Sequence, residues 1–170
     1  TTLRAIAGLE TIDEGRILID GKPVQDLHAS DRDIAFVFQL YALYPHLTVF
    51  ENLAFPLRAT RMPDALVRQT VTAVAESIAI THLLRLRPGA LSGGDMQRVA
   101  IGRALVRRPK ALLMDEPIGA LDAKLREQMR RDLVSLQRQL GHSTIYVTHD
   151  QEEALALSHR IALMREGIIV

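Results

Sequence analysis

Four apolar residues in a row, Ala111-Leu112-Leu113-Met114, stop at two carboxylates, Asp115 and Glu116. A run this short and this uniformly apolar fits a strand buried on both faces, a condition met in parallel sheets that carry helices on either side. Ile34 to Phe38 and Thr144 to Val147 read as two more strands, and helical patterns stand between the three. Strand alternating with helix predicts an α/β fold on a largely parallel sheet. In such sheets ligands gather outside the carboxyl ends of the strands. Asp115 and Glu116 fall at that edge.

The bulk properties narrow the field. A chain of 170 residues allows one domain, or one core with a small insertion. Hydrophobic residues make up 48% and aromatics 4%, with no Trp, so the core packs with aliphatic side chains. The formal net charge is +1, so no strong global field recruits nucleic acid or anionic lipid. The absence of Cys excludes disulfides and thiolate metal sites. No apolar run approaches the ~20 residues of a membrane span. Thr1-Thr2-Leu3-Arg4-Ala5-Ile6 lacks a secretion-signal layout and an initiator Met, and it reads as the middle of a helix. The chain stops in the second arm of a predicted hairpin, so both ends are expected to be cut.

Residues 1–8 read as a helix remnant. Gly15 to Asp20 alternates into a short strand that turns at Asp20-Gly21. From about 48 to 86 the pattern is helical, and Val67, Val71, Val74 and Ile78 share a face. Pro88-Gly89 punctuates the return to the core. A helix is predicted from Gly93 to about Val106. Another is striped by Leu125, Met129, Leu133, Leu136 and Leu140, with Gly141 as its C-terminal cap. A short helix over 151–158 and a strand over Ile161 to Met164 complete the order.

Three sites carry chemistry. Asp115 at a strand end can hold Mg²⁺, which prefers oxygen ligands, and Glu116 can accept a proton from water. Taken alone, an Asp-Glu-Pro turn more often merely ends a strand and keeps its charges solvated, because short motifs match by chance. Ser92 is a good N-cap, and Asp95 three residues on completes a capping box. Capping does not account for Gly93 and Gly94 in the first helical turn, where each costs ~1 kcal/mol relative to Ala. Glycines let backbone amides approach an anion at a helix N-terminus, so phosphate contact and simple capping both remain open. His149 and Gln39 each follow a strand; His149, in Thr148-His149-Asp150, is taken to follow a buried one. Alone, such a His is more often structural than catalytic. The remaining His residues show no metal-ligand spacing. Gly21-Lys22 imitates the end of a phosphate loop, but Pro23 replaces the required Ser or Thr, and a hairpin turn accounts for it better. No Gly-x-x-x-x-Gly-Lys-Ser/Thr occurs in the chain. Together the carboxylate pair and the glycine-rich helix start point to nucleotide hydrolysis.

In order and spacing the set resembles one family, the ATP-binding subunits of ABC transporters. The resemblance runs along nearly the whole chain through Ile6-Ala7-Gly8-Leu9-Glu10, Phe36-Val37-Phe38-Gln39, Leu91-Ser92-Gly93-Gly94, Leu113-Met114-Asp115-Glu116-Pro117, Leu121-Asp122-Ala123 and Val147-Thr148-His149-Asp150. Tyr41-Ala42-Leu43-Tyr44-Pro45-His46, Glu51-Asn52-Leu53 and the run at 150–154 make it most similar to importers of sugars and glycerol phosphate.

The resemblance implies a P-loop NTPase (RecA-like) core over 1–40 and 88–170, lacking its N-terminal strands and phosphate loop. It also implies an inserted α-helical subdomain over 41–87. ATP and Mg²⁺ are the implied ligands. Asp115 becomes the Mg²⁺ aspartate and Glu116 the general base. His149 becomes the switch histidine on the γ-phosphate, and Gln39 the glutamine that senses Mg²⁺ and γ-phosphate. Ser92, Gly93 and Gly94 contact ATP held by the opposite subunit, Asp122 communicates across the dimer, and Thr1 lies at or just past the end of the missing phosphate loop. The implied partners are a second copy or a homologous ATPase subunit, permease subunits met through about residues 41–60, and indirectly a periplasmic solute-binding protein. The implied location is the cytoplasmic face of the bacterial inner membrane, with no nucleic acid bound. Two residues depart from the family pattern: Asp95 stands where Gln is usual, and Gly119 where Ser is usual. A soluble ABC ATPase acting on nucleic acid or ribosomes is the alternative, but the coiled coils or basic arms of such proteins are missing from the sequence. A catalytically inactive fragment is the other.

Overall fold

The computed structural model describes residues 2–38, 41–118, 123–141 and 143–170, apart from the side chains of 123–125 and 136–140. Three parallel strands form the central sheet: β3 (Ile34–Val37), β4 (Ala111–Asp115) and β5 (Ser143–Val147), in the order β3-β4-β5. The register aligns Val37 with Met114 and Met114 with Tyr146. The strands therefore end together, and the predicted α/β class with a parallel sheet is what forms.

Period-two alternation divides the sheet residues between two cores. On one face Ile34 and Leu113 pack with Leu3 and Ala7 of α1 (Thr2–Ala7). On the other, Ala35, Val37, Leu112 and Met114 join a larger cluster with Val99, Ala100 and Ala104 of α4 (Gly93–Leu105). β4 is covered on both sides, which is why its sequence is continuously apolar. β5 differs from expectation. It is not fully buried: Ile145 is 40% exposed and Val147 39%. It lies at an edge of the described sheet, with β4 on one side only.

α2 (Val49–Ala59) and α3 (Asp64–Ser77) extend the larger core. A full capping box starts α2. Thr48 Oγ1 accepts from the Glu51 N–H at 3.2 Å, and Glu51 Oε2 accepts from the Thr48 N–H at 2.8 Å. Asn52 is buried and bonds the loop before the helix, donating to the carbonyls of Tyr44 and Thr48 and accepting from the Tyr44 N–H. In α3, Val67, Val71 and Ala75 form the buried stripe. Val74 is half-buried, and Ile78 lies just past the helix end. α4 approaches this layer closely at Gly102, where an added Cβ would meet Ile78 Cδ1 at 2.6 Å.

α5 (Ala123–Leu140) buries Met129 and Leu133 of its predicted stripe. The side chains of Leu125, Leu136 and Leu140 lie outside the described residues. α6 (Gln151–Leu157) follows β5. Two antiparallel hairpins flank the core. β1 (Leu18–Ile19) and β2 (Lys22–Pro23) are joined at Asp20-Gly21, where both residues have positive φ, as a tight primed turn requires. β6 (Met164–Arg165) and β7 (Ile168–Ile169) repeat this at Glu166-Gly167. The last hairpin starts three residues later than the predicted Ile161–Met164 strand, because the Glu-Gly pair sets its turn and therefore its arms.

Arg32 fastens α1 to the loop before β3. Its buried guanidinium donates to the carbonyls of Ala5, Ile6, Gln25 and Leu27 at 2.8 to 3.0 Å. Gly8 makes room for it. With φ +77° it ends the helix, and a Cβ there would sit 2.6 Å from Arg32 Nε.

Candidate functional site

The carboxyl edge of the sheet collects the ends of β3, β4 and β5. Asp115 is the last residue of β4 and pairs with Val147. Glu116 extends that pairing by one bond, its N–H donating to the Val147 carbonyl at 2.9 Å. Its φ is then +45°. A left-handed conformation costs a non-glycine residue about 1–2 kcal/mol, and a following proline, here Pro117, further disfavours it. Strain of this kind concentrates where a side chain must point in a required direction.

The turn throws the Glu116 carboxylate toward the end of β5. Glu116 Oε1 lies 3.1 Å from His149 Nδ1. Two residues 33 positions apart in sequence thus meet because adjacent parallel strands end level. His149 is exposed and Glu116 is half-buried. A half-buried carboxylate within 3.1 Å of an exposed imidazole can accept a proton from a water molecule.

The turn that carries His149 is fixed from behind. Glu153 is only 2% exposed, and its Oε2 accepts from Thr148 Oγ1 at 2.7 Å and from the Tyr146 hydroxyl at 3.0 Å. The Asp150 N–H donates to Thr148 Oγ1 at 3.0 Å, and Asp150 Oδ1 caps α6 by accepting from the N–H groups of Glu152 and Glu153. Those backbone bonds, the one from Glu153 foremost, hold the Asp150 carboxyl below the usual aspartate range. Burial, with the Glu153 carboxylate beside it, pushes the Tyr146 hydroxyl well above its ordinary value.

Ser92, Gly93 and Gly94 start α4. Ser92 Oγ accepts from the Asp95 N–H at 3.2 Å and donates to Asp95 Oδ2 at 2.6 Å. Only half of the predicted capping box is of the usual kind, since the carboxylate takes the Ser92 hydroxyl proton. The far end of α4 lies against the segment after β3. Arg103 donates to the carbonyl of Ala42 at 2.7 Å and of Tyr41 at 3.3 Å, with its guanidinium carbon 5.4 Å from the centre of the Tyr44 ring. At 1.5 Å per residue, Ser92 and Arg103 are about 16 Å apart along the helix.

The structure therefore joins Glu116 and His149, sets Asp115 next to Glu116 at the same sheet edge, and carries Ser92–Gly94 on a separate helix start. Thr1, Gln39 and Asp122 lie outside the described residues. Among those described, no group of three or more His, Asp or Glu side chains could cage a metal ion, and no helix is long and apolar enough to cross a membrane. A cleft of about 270 Å³ between α3, α4 and α5, lined by Ile78, Arg98, Met129 and Asp132 among others, includes none of the candidate residues. Sequence reasoning missed Glu153 and Arg103. Glu153 had a signal, since it stands four residues before buried Leu157 on the inward face of α6. Arg103 had none, because its partners are 61 and 62 residues away.

Comparison with known proteins gives consistent matches. The trehalose/maltose import ATP-binding protein MalK of Thermococcus litoralis is 54% identical over 99% of this chain and 47% of its own length. The sn-glycerol-3-phosphate import ATP-binding protein UgpC of Bordetella avium is 52% identical over 99% of this chain and 46% of its own. The chain thus spans about half the length of the curated relatives it matches. Among solved structures, cbiO1 from Clostridium perfringens, part of the ABC transporter complex cbiONQ, superposes with a TM-score of 0.90 at 28% identity, covering 99% of this chain and 69% of that one. A family model described as ABC transporter matches residues 1–119, and with these relatives it shows that the chain belongs to the ABC transporter family.

Proposed function

We propose that this chain is the ATP-hydrolysing part of a subunit that powers solute import, with carbohydrate or glycerol phosphate as the solute class. The observation that carries the reading is the contact between Glu116 and His149 at the carboxyl edge of the sheet. The names of the relatives, which import trehalose, maltose and glycerol 3-phosphate, support the solute class.

Mg²⁺ keeps several waters and takes one or two carboxylates together with substrate phosphates. Asp115 at the last position of β4 is a donor set of that size, one carboxylate, so the residues fit the ion. Asp115 would hold it, with Gln39 reaching it through the nucleotide. When bound, Mg²⁺ would supply charge neutralisation at the phosphates.

The protein's own work is positioning and electrostatics. Glu116 takes the proton of the attacking water. His149 orients Glu116 and, with nucleotide present, turns an N–H to the γ-phosphate. Ser92, Gly93 and Gly94 offer the positive end of α4 to an ATP held by a second copy of the subunit. Asp122 acts across that interface, and Thr1 belongs at the end of the phosphate loop. Residues 41–87 act as the helical subdomain, with about 41–60 facing the permease. The subunit works at the cytoplasmic face of the bacterial inner membrane, on a transporter fed by a periplasmic solute-binding protein.

Glu116→Gln in the complete subunit tests the reading. ATP binding should stay within about threefold of wild type while turnover falls at least about 100-fold, the low end for a general base. Turnover at the wild-type rate removes Glu116 from the role.

A further inference from the structure

Three features meet at the far end of α4. The backbone after β3 takes two consecutive left-handed residues, Tyr41 (φ +55°) and Ala42 (φ +47°). Neither is glycine, so the bend needs outside support. Arg103 gives it, bonding the carbonyls of both residues while its guanidinium faces the Tyr44 ring. Tyr44 in turn packs on Phe55 of α2, with ring centres 4.7 Å apart, and Phe55 is 47% exposed. The guanidinium is therefore a joint between α4 and an aromatic surface patch.

We propose that Arg103 is a positioning residue that ties the Tyr41–His46 surface to the helix whose first turn is Ser92–Gly94. The inference rests on the function proposed above, in which this surface meets the permease. α4 is one uninterrupted helix of 13 residues. A displacement of the Tyr41–Tyr44 segment, transmitted through two hydrogen bonds and one ring contact, tilts the helix and moves Ser92 at its other end. Only arginine suits the joint. Its planar fork bonds two carbonyls at once and still lies against a ring, whereas an ammonium group is a single point of charge.

Other contacts already secure α4 in the core. Val99, Ala100, Ile101 and Leu105 are buried, and Gly102 lies against Ile78. Loss of Arg103 should therefore weaken communication more than folding. Arg103 stands in the last turn of α4, about 16 Å from Ser92, so the isolated subunit's chemistry has no direct need of it.

The test uses the complete subunit, alone and assembled with its permease in lipid, in wild-type, Arg103→Ala and Arg103→Lys forms. The readout is the ratio of permease-stimulated to isolated ATP turnover. For Arg103→Ala the isolated rate should stay within about twofold of wild type while the ratio falls about five- to tenfold, the scale of a typical coupling between sites. Arg103→Lys should fall between the two. If the alanine variant does not accumulate as folded protein, the lysine variant decides, and a ratio below wild type at unchanged isolated rate is the expected result. An unchanged ratio, or equal losses with and without permease, overturns the proposal, because the residue then serves either nothing or the fold alone. A wild-type subunit that hydrolyses no ATP, or ignores the permease, would instead strike at the function proposed above.

Discussion

Glu153 gives the sharpest test of how the turn bearing His149 is held. The carboxylate is buried, and one of its oxygens accepts hydrogen bonds from Thr148 and Tyr146 at 2.7 and 3.0 Å. Replacement by Gln keeps the shape and an acceptor but removes the charge. Bonds to a charged group contribute about 1.5–3 kcal/mol each against about 1 for neutral ones, so with two bonds Glu153→Gln should cost about 1–4 kcal/mol. Replacement by Leu keeps much of the volume but leaves two hydroxyls without their acceptor, at about 1–3 kcal/mol each. Glu153→Leu should then cost about 2–6 kcal/mol. For a protein of this size 1 kcal/mol moves the melting temperature by about 2–4 °C. At mid-range the Gln variant should melt about 7 °C below wild type, and the Leu variant about 12 °C below. Urea titrations with an unchanged slope would show that both shifts are in stability. A Leu variant as stable as wild type, or more stable than the Gln variant, would refute the argument, since the two hydroxyls would then not depend on the carboxylate.

Two further outcomes follow from other parts of the structure. Gly8→Ala forces a Cβ against the Arg32 guanidinium in a left-handed conformation, so about 2–4 kcal/mol should be lost from strain and broken bonds together; a loss below about 0.5 kcal/mol in urea unfolding would deny Arg32 its clamping role. The Asp150 carboxyl is held below its usual range by backbone bonds, so its contribution is present above the unfolded value near pH 4 and is lost as pH falls through the folded value. Asp150→Asn, which keeps a good N-cap, should narrow the difference in melting temperature between pH 7 and pH 3, and an unchanged difference would contradict the assignment.

Much of this was legible in the sequence because the decisive residues are also the locally conspicuous ones. β4 announces itself as apolar because both its faces are covered, and Asp115 and Glu116 follow it directly. The Asp20-Gly21 turn is equally local. The misread features depend on distant residues. β5 has the composition of a buried strand, but in the described sheet it has β4 on one side only, and Ile145 and Val147 stay exposed. Asp95 looked like an ordinary partner for the first turn of α4, and only side-chain geometry shows its carboxylate on the Ser92 hydroxyl. The contact between Glu116 and His149 depends on strand register, which no local pattern encodes. Arg103 is one of 21 Lys and Arg residues, and nothing near it in sequence marks it as the one that supports a bend in a distant loop.

The level ending of the parallel strands has an evolutionary consequence. Material can be added to the connection over 106–110 without disturbing the chemistry, because the pairing of Ala111 with Ile34 resets the count before Asp115 is reached. One residue added between 111 and 115 has the opposite effect. Every later side chain in the strand would swap sides, and either acid would be buried in hydrocarbon or the strand would have to slide. Length variation in descendants of this sequence should therefore collect in the connections and spare those five positions.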